Sequence, residues 1–105
     1  MFEAPSQYDE KSVNKFWKSE NVSKLVELRE QLAKEEAIVA SETEPRIHDW
    51  VVANQYSMGQ LMNTLRIAIL GVSQGPSIFD ICEFIGKEEA LQRIDKAIEA
   101  LGAGK

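Results

Sequence analysis

From Leu61 to Leu101 the apolar residues return every three or four positions, and that spacing leaves little choice of backbone. Leu61, Met62, Leu65, Ala68 and Ile69 make one stripe, Ile78, Ile81, Cys82 and Ile85 a second, and Leu91, Ile94, Ala97, Ile98 and Leu101 a third. A period near 3.6 gathers each set on one side of a helix, whereas a half-buried strand would alternate with a period of two. Gly71 is placed to end the first of these helices in a left-handed conformation, and Gly86 closes the second.

The N-terminal half carries the same pattern less strongly. Pro5 makes residues 2–6 extended, and Tyr8 to Trp17 reads as a short helix with Val13, Phe16 and Trp17 as its apolar face. Ser19 and Asn21 are both possible caps for a helix over Val22–Lys34, whose stripe is Val22, Leu25, Val26, Leu28 and Leu32. This helix is expected to continue through Ala40 and to break at Ser41–Pro45. Pro45 then suits the first turn of a helix over Arg46–Asn54, with Thr43 or Glu44 before it. Gln55–Gly59 reads as the next break. No strand pattern, internal repeat or low-complexity segment interrupts the series, so the expected fold is all-α, a compact helical bundle of about six helices in a single domain over residues 1–105.

Charge and composition remove several function classes. At 105 residues and a net charge of −5, the chain has room for one core and is a poor binder of phosphate through clustered cations. Lys15 and Lys18 are a scattered pair mixed with acids. No apolar run approaches the roughly 18 residues of a membrane span, and the acidic N-terminus lacks a signal-peptide pattern. A single Cys82 excludes an internal disulfide and fits a reducing cytoplasm, which is the expected location. Cys82 lies on an apolar stripe among acids, where a thiol is inert. His48 stands alone, without ligand-spaced partners, so no metal site and no catalytic residue is expected. Trp17 and Trp50 sit on apolar stripes and read as core.

Leu61 to Phe79 is nearly free of charge, Arg66 being its one charged residue. Arg66 falls beside the apolar stripe, and Gln74, Gly75 and Pro76 form a turn after which Ser77 and Asp80 match a capping box. One reading is a guanidinium and backbone groups aimed at something planar and polar. The other is structural, with Arg66 paired to an acid such as Asp80 and an ordinary turn between helices.

The series Leu65-Arg66, Ala68, Gly71, Gly75-Pro76, Ile78, Phe79, Gly86-Lys87-Glu88 and Arg93 resembles the C-terminal anticodon-binding subdomain of bacterial glutamyl-tRNA synthetases. YDEKSVNKFWK is similar to the segment that opens this subdomain, and FEAP before it to the junction with a preceding helical subdomain. The resemblance implies that Met1 begins a fragment of a larger synthetase, with residues 1–7 as the junction. Such enzymes attach glutamate to tRNA(Glu) with ATP and Mg in a separate catalytic domain carrying HIGH-like and KMSKS-like motifs. Neither motif occurs here, so the implied fragment holds no cofactor and no catalytic residue. Its implied partners are the anticodon loop and the preceding subdomain, and it is expected to be monomeric with no membrane contact. The residues implied to approach the third anticodon base are Arg66, Gly75, Pro76, Ser77 and Ile78. Many members have Pro before the Leu-Arg pair; this chain has Thr64, which lets the helix begin a turn earlier. The alternative class is an acidic helical module that binds a protein through the charge-poor surface around Met58–Gly75.

Overall fold

A computed structural model describes residues 8–73 and 77–102. Among them are six helices and no strand: α1 Glu10–Phe16, α2 Ser19–Lys34, α3 Ala40–Ala53, α4 Met58–Leu70, α5 Ile78–Ile85 and α6 Lys87–Leu101. The all-α bundle expected from the periodicity is therefore the fold. The expected junction at residues 1–7 lies outside the described residues, as does the end of the chain from residue 103.

Helix α4 is the axis of the bundle. Leu61, Met62, Thr64, Leu65, Ile67, Ala68 and Ile69 are all buried, so the apolar surface extends well beyond one stripe. It packs most extensively on α6 and also meets α2, α1, α3 and α5. Leu25, Leu28 and Leu32 of α2, Ile47 and Val51 of α3, Ile78 and Ile81 of α5 and Ile94 of α6 complete the core around it. Burying a Leu or Ile side chain contributes about 1.5–3 kcal/mol, so this shared core holds the helices together. At the ends, the indole Nε1 of Trp17 donates to Gly102 O at 3.0 Å, and Arg29 of α2 grips Asp95 of α6 at 2.6 and 2.8 Å. Gly71 ends α4 with φ 82°, and Gly86, with φ 92°, is both the last cap of α5 and the first of α6. A positive φ at both positions is why glycine stands there.

Several boundaries differ from the sequence reading. Helix α2 starts at Ser19 with Lys18 as its cap, and neither Ser19 nor Asn21 caps it. Asn21 is buried instead, its Nδ2 donating to Phe16 O at 2.9 Å and to Gln60 Oε1 at 3.1 Å. Val26 is largely exposed rather than part of the stripe. The chain leaves helix at Glu35, and the Ser41–Pro45 stretch expected as a break is the start of α3. One tertiary and one local bond are the physical reason: Glu83 Oε1 accepts from Ala40 N at 2.6 Å, and Thr43 Oγ1 accepts from Val39 N at 3.2 Å, so a helix can begin there. Met58 and Gly59 belong to α4, whose first turn Ser57 caps by accepting from Gln60 N at 3.3 Å. Thr64 consequently lies mid-helix, where a proline would remove a backbone hydrogen bond.

Candidate nucleic-acid interface

Arg66 stands on the last turns of α4, half-buried beside Asn63. Its Nη1 donates to Asn63 Oδ1 at 3.4 Å, while its Nε is buried with no partner among the described residues. The ion pair with Asp80, one form that a structural role would take, is not made; Asp80 is exposed. A buried N–H of a cation without an acceptor is a destabilising arrangement, and a ligand oxygen or ring nitrogen relieves it.

Of the other expected site residues, Gly75 and Pro76 lie outside the described residues. Ser77 is exposed and holds the cap position of α5, with its carbonyl accepting from Ile81 N at 3.1 Å. Its hydroxyl makes no capping hydrogen bond, so the capping box expected of Ser77 and Asp80 is not formed. As at any helix N-terminus, the backbone amides of the first turn of α5 have no intrahelical acceptors. Ile78 is buried in the core, so only its main chain is available to a ligand. No hydrogen bond joins Arg66 to Ser77 or Ile78 among the described residues.

What the fold brings to Asn63, the hydrogen-bond partner of Arg66, is α1, which the sequence did not place. Asp9 N donates to Gly71 O at 2.6 Å, and the hydroxyls of Ser12 and Ser73 are 2.9 Å apart. These contacts clip α1 across the end of α4. Between them opens a cleft of about 410 Å³, lined on the α1 side by Asp9, Lys11, Ser12, Lys15 and Phe16 and on the other by Asn63 and Ser73. Asn63 thus lines the cleft and accepts from Arg66. Lys15 Nζ lies 5.3 Å from the centroid of the half-buried Phe16 ring, a cation–π distance. Ser12 donates its hydroxyl and then its backbone amide to Asp9, and these bonds hold that carboxyl below its usual range.

Lys11 and Lys15 could have been found together, since a spacing of four puts them on one side of a helix. Nothing in the sequence says that this side faces the end of α4. A second, larger cleft of about 500 Å³ is lined by Glu36, Glu88, Glu89 and Lys87 among others. Lys87 is committed there to Glu35 O at 2.6 Å, so the carboxylates dominate and would repel phosphate. Among the described residues no group of three or more His, Cys, Asp or Glu could hold a metal ion, and no helix is long and apolar enough to cross a membrane.

The alternative expectation, an acidic helical module that binds a protein through the charge-poor surface around Met58–Gly75, finds little apolar surface there. Leu61, Met62, Leu65, Ile67, Ala68 and Ile69 of α4 are buried in this chain's own core, Met58 and Leu70 are half-buried, and Val72 is exposed.

Comparison with known proteins gives this corner a context. Residues 1–98 match the sequence profile of the anticodon binding domain. The chain is 46% identical over 102 residues to a glutamate–tRNA ligase of Porphyromonas gingivalis, covering 97% of the chain and 20% of that protein. It is 42% identical over 101 residues to the ligase of Flavobacterium johnsoniae, again covering 20% of the relative. The crystal structure of a glutamate tRNA ligase from Elizabethkingia meningosepticum in complex with its amino acid superposes with a TM-score of 0.87 at 37% identity, over 94% of this chain and 20% of that one. That of Elizabethkingia anophelis superposes with a TM-score of 0.77 at 35% identity, over 92% of this chain and 18% of that one. The chain spans about a fifth of the length of these relatives. On the match over residues 1–98, the chain belongs to the anticodon binding domain family.

Proposed function

We propose that this chain holds the anticodon loop of tRNA(Glu) for a glutamate–tRNA ligase and reads its last base with Arg66 and the segment from Gly75 to Ile78. The observation that carries the reading is the half-buried Arg66 guanidinium, which is hydrogen-bonded to Asn63 and whose Nε has no acceptor among the described residues. In a family of anticodon binding domains, a base edge is the acceptor that such a group suits. Anticodon bases are unstacked and splayed, so their hydrogen-bonding edges are reachable, and a fixed guanidinium can hold one through two parallel bonds. Asn63 restrains the guanidinium through Nη1, which leaves the remaining N–H groups for the base. Backbone amides at the start of α5 supply further donors.

In this reading residues 1–105 form one anticodon-binding domain, monomeric, working in the cytoplasm beside a preceding helical subdomain joined through residues 1–7. Aminoacylation, with its ATP and Mg, belongs to other parts of the ligase. The test is binding of anticodon stem-loop RNAs that differ only at the last anticodon base. Arg66→Gln is expected to narrow the preference between them by roughly 1–3 kcal/mol, about 5- to 150-fold. Equal discrimination by the variant and the parent would assign the reading to another residue.

A further inference from the structure

The cleft between α1 and the end of α4 has features that reading a single base does not need. It presents two ammonium groups, Lys11 and Lys15, neither of which forms an ion pair among the described residues. Beside them is an aromatic face, Phe16, and an amide, Asn63, that is hydrogen-bonded to Arg66. In a chain of net charge −5, two cations against the single acid Asp9, one of them over an aromatic ring, in one concave place are a local reversal of the field. Accepting the anticodon-reading role, we propose that this cleft is the path of the RNA strand past Arg66, with Lys11 and Lys15 on consecutive phosphates and Phe16 against a base or ribose.

The partner is a single strand rather than a duplex, because a half-buried ring lining a cleft of about 410 Å³ can meet an unpaired nucleotide but not a stacked pair. Asp9, the one acid of the cleft, is shielded by two hydrogen bonds from Ser12. Its remaining lone pairs suit a ribose 2′-hydroxyl or an exocyclic amine, which RNA offers and a plain polyanion does not. Ser12 and Ser73, joined across the cleft, fix α1 to the chain leaving α4, so the two sides of the path keep their register.

Phosphate contacts position a strand without reading it, whereas base contacts discriminate. The double variant Lys11→Gln/Lys15→Gln should therefore weaken binding of every anticodon stem-loop by the same factor. The slope of log Kd against log salt should fall by about 1.4, and the loss should be roughly 25-fold at 0.1 M salt, from about 0.7 per phosphate on a single strand. Phe16→Leu keeps the apolar packing and should cost fivefold or more through lost stacking, at roughly 1 kcal/mol or above per base. Lys96→Gln, exposed on α6, is the control and should change nothing.

The measurement is amide chemical-shift mapping and titration of the full chain with stem-loop RNA up to millimolar concentration, across a salt series, with the parent spectrum as the check on folding. Shifts at α1, Asn63 and Arg66 together with the reduced slope establish the path. Anticodon-dependent shifts at Arg66 with a double variant that binds like the parent, or a control that loses as much as the double variant, overturn the path and leave the base-reading role standing. Absence of shifts at both α1 and Arg66 overturns both, and a competing protein segment filling the cleft in place of RNA overturns the path.

Discussion

Arg93 is 5% exposed and joins α6 to the end of α4. Its Nη1 donates to Ile69 O at 3.0 Å and its Nε to Glu89 Oε2 at 2.7 Å. Ile69 carries one of the last carbonyls of α4, which have no intrahelical donor, so a buried cation performs the work of a C-terminal cap. The same residue thereby fixes the stretch that carries Arg66 and leads into Gly71. Arg93→Met fills similar volume but leaves that carbonyl buried and unsatisfied, and should cost roughly 2–4 kcal/mol in urea unfolding. Arg93→Lys should recover only part of this, because an ammonium lacks the planar fork. A loss below about 0.5 kcal/mol for the Met variant would show that Ile69 O is not held this way. Cys82, beside these residues in the core, has its thiol pushed up to about 12 by burial, which keeps it neutral and unreactive at pH 7. Its role is to fill space, as its place on the α5 stripe indicates.

The elements differ in how locally they are determined. Helices α4 and α6 have long apolar stripes and glycine at their ends, and their sequence-read limits near Leu70 and over Lys87–Leu101 agree with the fold. Helix α3 depends on its neighbours. Its first turn is capped from α5 by Glu83, while Glu35 accepts from Thr43 Oγ1 at 3.2 Å, from Arg46 Nε at 2.9 Å and, by its backbone carbonyl, from Lys87 Nζ. Pro45 lies inside this helix at a position where its missing N–H leaves the Ser41 carbonyl to water, and Ser41 is exposed. Without the contacts from α5 and α6 the stretch reads as a break. Glu83→Ala should therefore destabilise the fold by about 0.5–2 kcal/mol, as for loss of an N-terminal cap, and should speed hydrogen exchange at Ala40 before any other amide of α3. Unchanged exchange at Ala40 would show that Glu83 is not its cap.

For the whole molecule, the carboxylates that organise the fold set its response to acid. The hydrogen bonds from Arg46 hold Glu35 below its ordinary value of 4.5, and those from Ser12 hold Asp9 below 3.8. A lowered native value means that the unfolded chain takes up these protons first, so the stability they confer is present above the ordinary values and is lost as pH falls through the lowered ones. The urea midpoint should be level from pH 7 to about 5 and fall below about 4.5, with Glu35→Gln flattening that fall. A Glu35→Gln variant with the parent's full acid dependence would place the proton uptake elsewhere. At neutral pH the overall charge of −5 repels a polyanion except where cations are gathered, so under the proposed role the domain contributes discrimination more than affinity.

The all-α class, the burial of Trp17 and Cys82 and the glycine-closed ends of α4 and α5 were legible in the residues, because helical periodicity and positive-φ glycine are local properties of the chain. Arg66 stood out as the one charge in an apolar stretch, and that contrast also needs no third dimension. Where the first turn of α3 finds its caps, which carbonyl Arg93 holds and which helix brings Lys11, Lys15 and Phe16 beside Asn63 were decided by contacts between residues dozens of positions apart. Sequence spacing can place side chains on one face of a helix; only the packing of α1 across the end of α4 determines what that face meets, because the joining contacts are long-range and their donors look, in sequence, like ordinary polar surface.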